Sequence, residues 1–288
     1  MSQLSEQRSR NSALQWQSQA VLLALVPVTA IWVTLAAGNA WPAHSRMIGL
    51  DAAISIGFVA LVWSFRAATP GGALTGGIFA AALFLSAPGW HTALWPLLAL
   101  VLLTFAATRY GRRRKETLGI AEDRRGRRAS QVAANLGVAV VAMIPLAQAL
   151  GFRSAAPGGL EAAAAMLAAM AEAAADTLSS ELGQVLGGEP RLLTTLQRVP
   201  PGTDGAITWV GTLAGCAGAA VVVAAGQRAL QLPRKEALIA LGAAVAGLFF
   251  DSLLGAIPER RGWLNNDAVN TLSTLFAAVV AVAACRWF

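Results

Sequence analysis

Four short polar clusters interrupt an otherwise apolar chain: residues 176–181 (Asp-Thr-Leu-Ser-Ser-Glu), 202–205 (Gly-Thr-Asp-Gly), Asp251 with Ser252, and 265–270 (Asn-Asn-Asp-Ala-Val-Asn). Each lies at the end of a hydrophobic run long enough, or nearly so, to cross a bilayer. Ionisable groups at such places are expensive and mark function. On a helix, Glu172, Asp176 and Ser180 share a face, while Thr177 and Glu181 form the neighbouring row. Carboxylates repeatedly facing inward repel unless one is protonated or a cation sits between them. A divalent ion with oxygen ligands, Mg²⁺ foremost, resolves that conflict. A cap or a hydrogen bond from Asp176 to a neighbouring helix is the competing reading. Asn266, Asn270 and Ser273 or Thr274 form a second stripe, with Asp267 beside it. Amide side chains orient a phosphate or a base edge, and equally bond across transmembrane helices.

The stretch 200–205 leads directly into a helix, and glycines with exposed amides at a helix start attract anions. Gly202, Thr203, Asp204 and Gly205 are therefore candidate phosphate contacts, although the Gly-Lys-Ser/Thr ending of a Walker A loop is missing. A weak echo at 70–75, also at a helix start, hints at duplication. Basic residues concentrate at 109–128, including Lys115, Arg127 and Arg128, with Gln131 and Asn135 one turn apart on the next helix. Such a loop sets topology or touches anionic lipid, and it can also neutralise a polyphosphate. Acids for a cation, basic groups for phosphates, an anion-friendly turn and a lipid setting suit phosphoryl transfer to a lipid substrate. No Ser or Cys nucleophile machinery and no paired His are visible; His44 and His91 are far apart and are given no metal role.

The elements that must position these groups are membrane helices. The chain is 56% hydrophobic and 13% charged, with a mean hydropathy of +0.57. A soluble domain of 288 residues would need far more polar surface. A single Tyr, abundant Ala and 28 Gly suit close helix packing in lipid. The expected fold is an all-α polytopic transmembrane bundle of about nine helices, with spans at 20–37, 49–65, 72–87, 93–108, 130–150, 160–180, 206–226, 236–256 and 267–285. The run 72–87 is short enough to be tilted or re-entrant. The run 160–180 is mostly Ala with Glu161, Glu172 and Asp176, so it belongs in the middle of the bundle rather than against lipid. Cys216 and Cys285 fall inside apolar runs, which argues against a structural disulfide.

The formal charge of +7 does not point to nucleic acid, because it gathers in one loop. Placing that loop, 109–129, in the cytoplasm follows the positive-inside rule. It leaves a cytoplasmic tail at 1–19 and a single transmembrane domain at 20–288. The first run, preceded by Arg8 and Arg10, reads as an uncleaved anchor rather than a signal peptide. With this topology all four polar clusters open on the cytoplasmic side of the cell (inner) membrane. Trp41, Trp90, Trp95, Trp263 and Trp287 lie near span boundaries, as an aromatic belt would.

In order along the chain, Lys115-Glu-x-Leu-Gly-Ile-Ala-Glu122, Gly126-Arg-Arg with Gln131-Val-x-Ala-Asn135, Ala175-Asp-Thr-Leu-Ser-Ser-Glu-Leu-Gly183, Val199-Pro-x-Gly-Thr-Asp-Gly-Ala-Ile-Thr208, Asp251-Ser-Leu-Leu-Gly-Ala256 and the 265–270 cluster resemble an integral membrane family that includes plant phytyl-phosphate kinase. The resemblance covers roughly residues 65–285 and extends distantly to dolichol kinase and CDP-diacylglycerol synthase. It implies phosphorylation of an isoprenoid monophosphate, such as phytyl or geranylgeranyl phosphate, to the diphosphate, with CTP as donor. In that scheme Asp176, Glu181 and Asp251 hold Mg²⁺ against the nucleotide. Lys115, Arg127 and Arg128 offset remaining charge, and Asn135, Asn266 and Asn270 orient the phosphates or the base. The departures are a short segment after Asp251 and Leu178 where many relatives have an aromatic residue. The alternative reading is a cation- or proton-coupled transporter built on Glu172, Asp176 and Asp251, which requires polar groups through both halves of the membrane. A non-catalytic lipid-binding protein is a third.

Overall fold

A computed structural model describes residues 14–121, 125–144 and 159–287. The tail before residue 14, Glu122 and the far end of the run 130–150 lie outside the described residues. Nine α-helices are present among those described: α1 Gln15–Ser64, α2 Pro70–Ser86, α3 Leu94–Arg109, α4 Arg112–Leu118, α5 Ala129–Met143, α6 Leu160–Leu186, α7 Trp209–Leu230, α8 Arg234–Leu254 and α9 Asn266–Trp287. The protein is an all-α polytopic bundle. A two-residue antiparallel ribbon, β1 Arg191–Leu192 with β2 Ala206–Ile207, is the small addition that hydropathy does not announce.

Four of these helices are long and apolar enough to cross a membrane, and α3 with α4, bent by 59°, makes a fifth. The shorter apolar helices α2 and α5 complete the bundle. The first two expected spans are one continuous element, α1, of 50 residues, broken at His44 where φ is −134° and ψ is 35°. Straight, it would run roughly 75 Å, more than twice a hydrocarbon core. Its two ends instead reach the same end of the bundle. Gln17 donates to Trp263 O (2.8 Å) and accepts from the Asn265 amide (2.8 Å), while Phe65 O accepts from Arg109 and Ala67 O accepts from the Arg127 amide (3.0 Å). Pro42, which lacks an amide hydrogen and crowds the preceding turn, lies next to the break. Two crossings therefore arise from one helix folded back on itself.

The centre of the bundle is α6. Every residue from 162 to 175 is buried, and α6 packs on α3, α5, α7, α8 and α9. Small residues make this possible. A Cβ added at Gly215 of α7 would lie 2.7 Å from Ala175 O, and one at Gly211 would lie 2.5 Å from Ser179 O. Backbones this close are the small-residue packing that holds helices together in lipid. Leu178, the departure from an aromatic residue, faces Gly218 on α7 and so belongs to this seam. Gly215→Val is expected to destabilise the bundle by about 1–3 kcal/mol through overpacking. Thermal unfolding in detergent reads that loss directly, and an unchanged midpoint would remove Gly215 from the close contact.

Candidate functional site

At the end of the bundle where both termini of α1 meet, a cavity of about 340 Å³ opens between α5, α6, α8, α9 and the turn before β2. Helical spacing explains its floor. Asp176, Thr177, Ser180 and Glu181 reach it from two adjacent rows of α6, and Asn266 and Asn270 reach it from one row of α9. Asp251 arrives from the last turn of α8. That helix ends in a π-turn, Gly255–Glu259, a geometry frequent at functional sites. The turn brings in Glu259, a carboxylate the sequence motifs do not single out. Its only signal is its place in the short segment after Asp251.

The carboxyl groups of Asp176 and Asp251 come within hydrogen-bonding reach of each other, with the Arg127 guanidinium beside Asp176. Glu172 lies one turn deeper on α6, 1% exposed, and Ser273 of α9 faces both Glu172 and Asp251. Room for the Glu172 side chain comes from Gly247, where an added Cβ would lie 2.6 Å from Glu172 Cγ. Glu172 Oε1 and Asp251 Oδ2 are buried without a hydrogen-bond partner among the described residues. Buried, unsatisfied carboxylate oxygens are costly, and a cation or a proton relieves them. At the cavity edge, the Asp204 carboxyl is raised above its ordinary range by desolvation, with the Arg260 charge opposing.

The amides are divided between structure and cavity. Asn265 caps α9, its Oδ1 accepting from the Ala268 amide (2.9 Å), and its Nδ2 reaches back to Leu14 O (2.8 Å) and Ser18 Oγ (3.0 Å). Asn266 and Asn270 are left to the cavity, and Asn270 Nδ2 lies 3.5 Å from Asn135 Oδ1 across to α5. Asn135 is itself oriented by donating to Gln131 O (2.8 Å).

Lys115 does not face the cavity. It is 1% exposed, and its ammonium donates to Ala107 O (3.2 Å), Thr108 O (2.8 Å) and the Glu181 carboxylate. All three of its donors are thereby used in tying α4 to α3 and α6. Glu181 lines the cavity and carries this buried ion pair through Oε2. Arg128 is exposed at the N-cap of α5, outside the cavity, where its amide donates to Gln131 Oε1 (2.8 Å).

Residues 202–205 line the cavity but do not open a helix. They form a turn into β2, and α7 begins only at Trp209, capped by Thr208 Oγ1 accepting from the Gly211 amide (3.0 Å). The echo at 70–75 is not equivalent, since Pro70 is itself the first residue of α2. Gly205 adopts φ +71°, and an added Cβ would lie 2.5 Å from Ser252 O, so the turn docks directly on the end of α8. The turn is closed by bonds from the Thr203 amide to Pro200 O (3.3 Å) and from the Ala206 amide to Thr203 O (3.1 Å).

Among the described lining residues Arg127 is the only Lys or Arg, against Asp176, Glu181, Asp204, Asp251 and Glu259. A polyphosphate enters such a cavity only with cations. No group of three His, Cys, Asp or Glu side chains is preassembled as a ligand set among the described residues. Mg²⁺ does not require one, because it binds through one or two carboxylates plus phosphate oxygens and water. Asp176 and Asp251, whose Oδ2 has no hydrogen-bond partner among the described residues, are groups of the type that could hold it.

Fold and site together define a multi-pass helical membrane protein with an acid-rich cavity at one end of its bundle. Residues 53–278 match the Integral membrane protein DUF92 family, and the chain belongs to it. It is 43% identical over 116 residues to an uncharacterized membrane protein of Methanocaldococcus jannaschii, covering 40% of this chain and 48% of that one. An uncharacterized membrane protein of Synechocystis is 33% identical over 198 residues, covering 68% and 75%. Protein VTE6, chloroplastic, of Arabidopsis thaliana is 31% identical over 182 residues, covering 62% and 54%. The chain thus spans about half the length of the first and third of these relatives. No solved structure matches it.

Proposed function

We propose that the protein is a membrane-embedded prenyl-phosphate kinase. It transfers the γ-phosphoryl group of CTP to an isoprenoid monophosphate, such as phytyl or geranylgeranyl phosphate, giving the diphosphate and CDP. The observation that supports this reading is the convergence of Asp176, Asp251, Arg127 and the Asn135–Asn270 pair on one cavity at the end of a lipid-embedded bundle. Asp176 and Asp251 would hold Mg²⁺, which would supply charge neutralisation of the donor phosphates. Arg127 is pinned by a hydrogen bond to Thr177 Oγ1 (3.0 Å) and by its backbone, and presents a fixed cation to the transferring group. Asn266 and Asn270 orient the donor, and the turn 202–205 closes one side.

In the transfer, an acceptor phosphate oxygen bonds to the γ-phosphorus as the bond to the β–γ bridging oxygen breaks. The acceptor phosphate is largely dianionic near neutral pH, its second pKa being about 6. No strong general base is needed, in keeping with the described lining residues, which include no His. Catalysis then rests on positioning and charge. The concentration of basic residues at 109–128 in the sequence supports a cytoplasmic orientation. Below Glu172, residues 162–171 of α6 are all apolar and buried, which weighs against a polar transport path along this helix.

Purified protein given CTP, Mg²⁺ and phytyl or geranylgeranyl phosphate is expected to form the lipid diphosphate, and a chelator is expected to stop it. Absence of product across several prenyl acceptors and across CTP, UTP and ATP would remove the kinase reading.

A further inference from the structure

A second cavity, about 600 Å³, adjoins the first. The two share Arg127 and Asn135. Its inner wall is apolar, made by Phe58 and Val62 of α1, Leu100 and Val101 of α3, and Val132 and Leu136 of α5. Its mouth has the opposite character: Arg66, Arg109, Arg112 and Arg113 line it, with Glu116 as the only carboxylate among the described lining residues. Arg112 is paired with Glu116 at 3.1 Å. Arg109 stacks over Phe105 at 4.2 Å and donates to Phe65 O, so its guanidinium is held at the rim. Arg113 is exposed there.

The partition between the cavities is rigidly built. Gly126, at φ +81°, lets the chain press against residues 66–68, where an added Cβ would lie 2.5 Å from Ala67 C. The Arg127 amide then donates to Ala67 O (3.0 Å), and Arg127 O accepts from the Thr69 amide (3.0 Å). Its side chain runs to Thr177 on the acid-rich side. The clamped arginine stands between a carboxylate-lined chamber on one side and an arginine-rimmed apolar chamber on the other.

We infer that the second cavity is the acceptor site, taking a single-chain lipid monophosphate with its phosphate among the mouth arginines and its first isoprenoid units along the apolar wall. The inference rests on the kinase reading and deepens it. Charge decides the occupant: an excess of guanidinium groups at one end calls for a compact dianion, and guanidinium geometry matches phosphate oxygens. The apolar wall calls for a hydrocarbon attached to that dianion. The acceptor phosphate and the donor γ-phosphate would then meet at Arg127 and Asn135, the residues common to both chambers.

The test is photolabelling of the full chain in lipid nanodiscs with a prenyl monophosphate carrying a diazirine near its head end. Labelled residues are mapped by mass spectrometry. Crosslinks are expected at 58–62, 100–105 and 132–136, with competition by unlabelled prenyl phosphate but not by the prenyl alcohol. Arg113→Ala, an exposed change, should weaken labelling about tenfold, the loss of one charge-assisted contact. Val101→Trp should block labelling by filling the wall. Labelling elsewhere, equal competition by phosphatidic acid, or unchanged labelling in Arg113→Ala would overturn the assignment. Loss of the kinase reading shows differently, as expected labelling in a protein that forms no diphosphate with any nucleotide.

Discussion

Asp176→Asn is expected to reduce diphosphate formation by at least about a hundredfold while leaving the protein folded. The size follows from the cost of removing one group that stabilises transition-state charge. Asn keeps the shape of Asp and can still hydrogen-bond to Asp251, so the packing of α6 against α8 is retained. What it loses is the negative charge needed to share a cation with Asp251. Stability should be unchanged or slightly higher, because a buried neutral amide costs less than a buried carboxylate. Asp251→Asn should behave alike. Steady-state rates paired with thermal unfolding in detergent check both halves, and wild-type turnover in Asp176→Asn would take Asp176 out of the site.

Lys115→Met is expected to cost about 3–5 kcal/mol of stability, the usual penalty for leaving a buried charge uncompensated. The stranded group is Glu181, and the carbonyls of Ala107 and Thr108 lose their donor as well. Adding Glu181→Gln should restore much of the lost stability, since no buried carboxylate is then left without its ammonium. The double variant should also keep turnover per folded molecule within about tenfold of wild type. If Lys115 instead contacted the donor phosphates, the double variant would fold and fail to turn over. Melting curves and rates on the four proteins of this cycle separate the two roles.

Several features were readable from the chain before any coordinates. The weak hydropathy of 160–180 places it inside the bundle, and α6 is buried from 162 to 175. Helical spacing puts Asp176 with Ser180, and Asn266 with Asn270, on faces that do line one cavity. Lys115 stands in a run of arginines and so reads with them as one phosphate-neutralising basic loop. Only the 59° bend between α3 and α4 turns it inward to Glu181, 66 residues away in sequence. The turn at 202–205 resembled a helix start because the two-residue ribbon that separates it from α7 is too short to leave a pattern. The second cavity was invisible for a different reason. Phe58, Leu100 and Leu136 are ordinary apolar residues of three separate helices, and their common wall exists only once α1 folds back.

The arginines carry the same lesson. As a sequence, 109–128 is one basic block with topology and phosphate binding as joint roles. In the fold, Arg127 enters the acid-rich cavity, Arg109, Arg112 and Arg113 rim the neighbouring one, and Lys115 is consumed by packing. Net charge alone would have assigned them one duty.

The most direct test of a phosphoryl-transfer centre at Asp176 and Asp251 follows the label from CTP carrying ³²P at either the α or the γ position. With Mg²⁺ and a prenyl monophosphate, γ-label should appear in the lipid diphosphate and α-label should remain in CDP. Transfer of α-label to lipid would mean nucleotidyl rather than phosphoryl transfer, and absence of γ-label from lipid would contradict the kinase account.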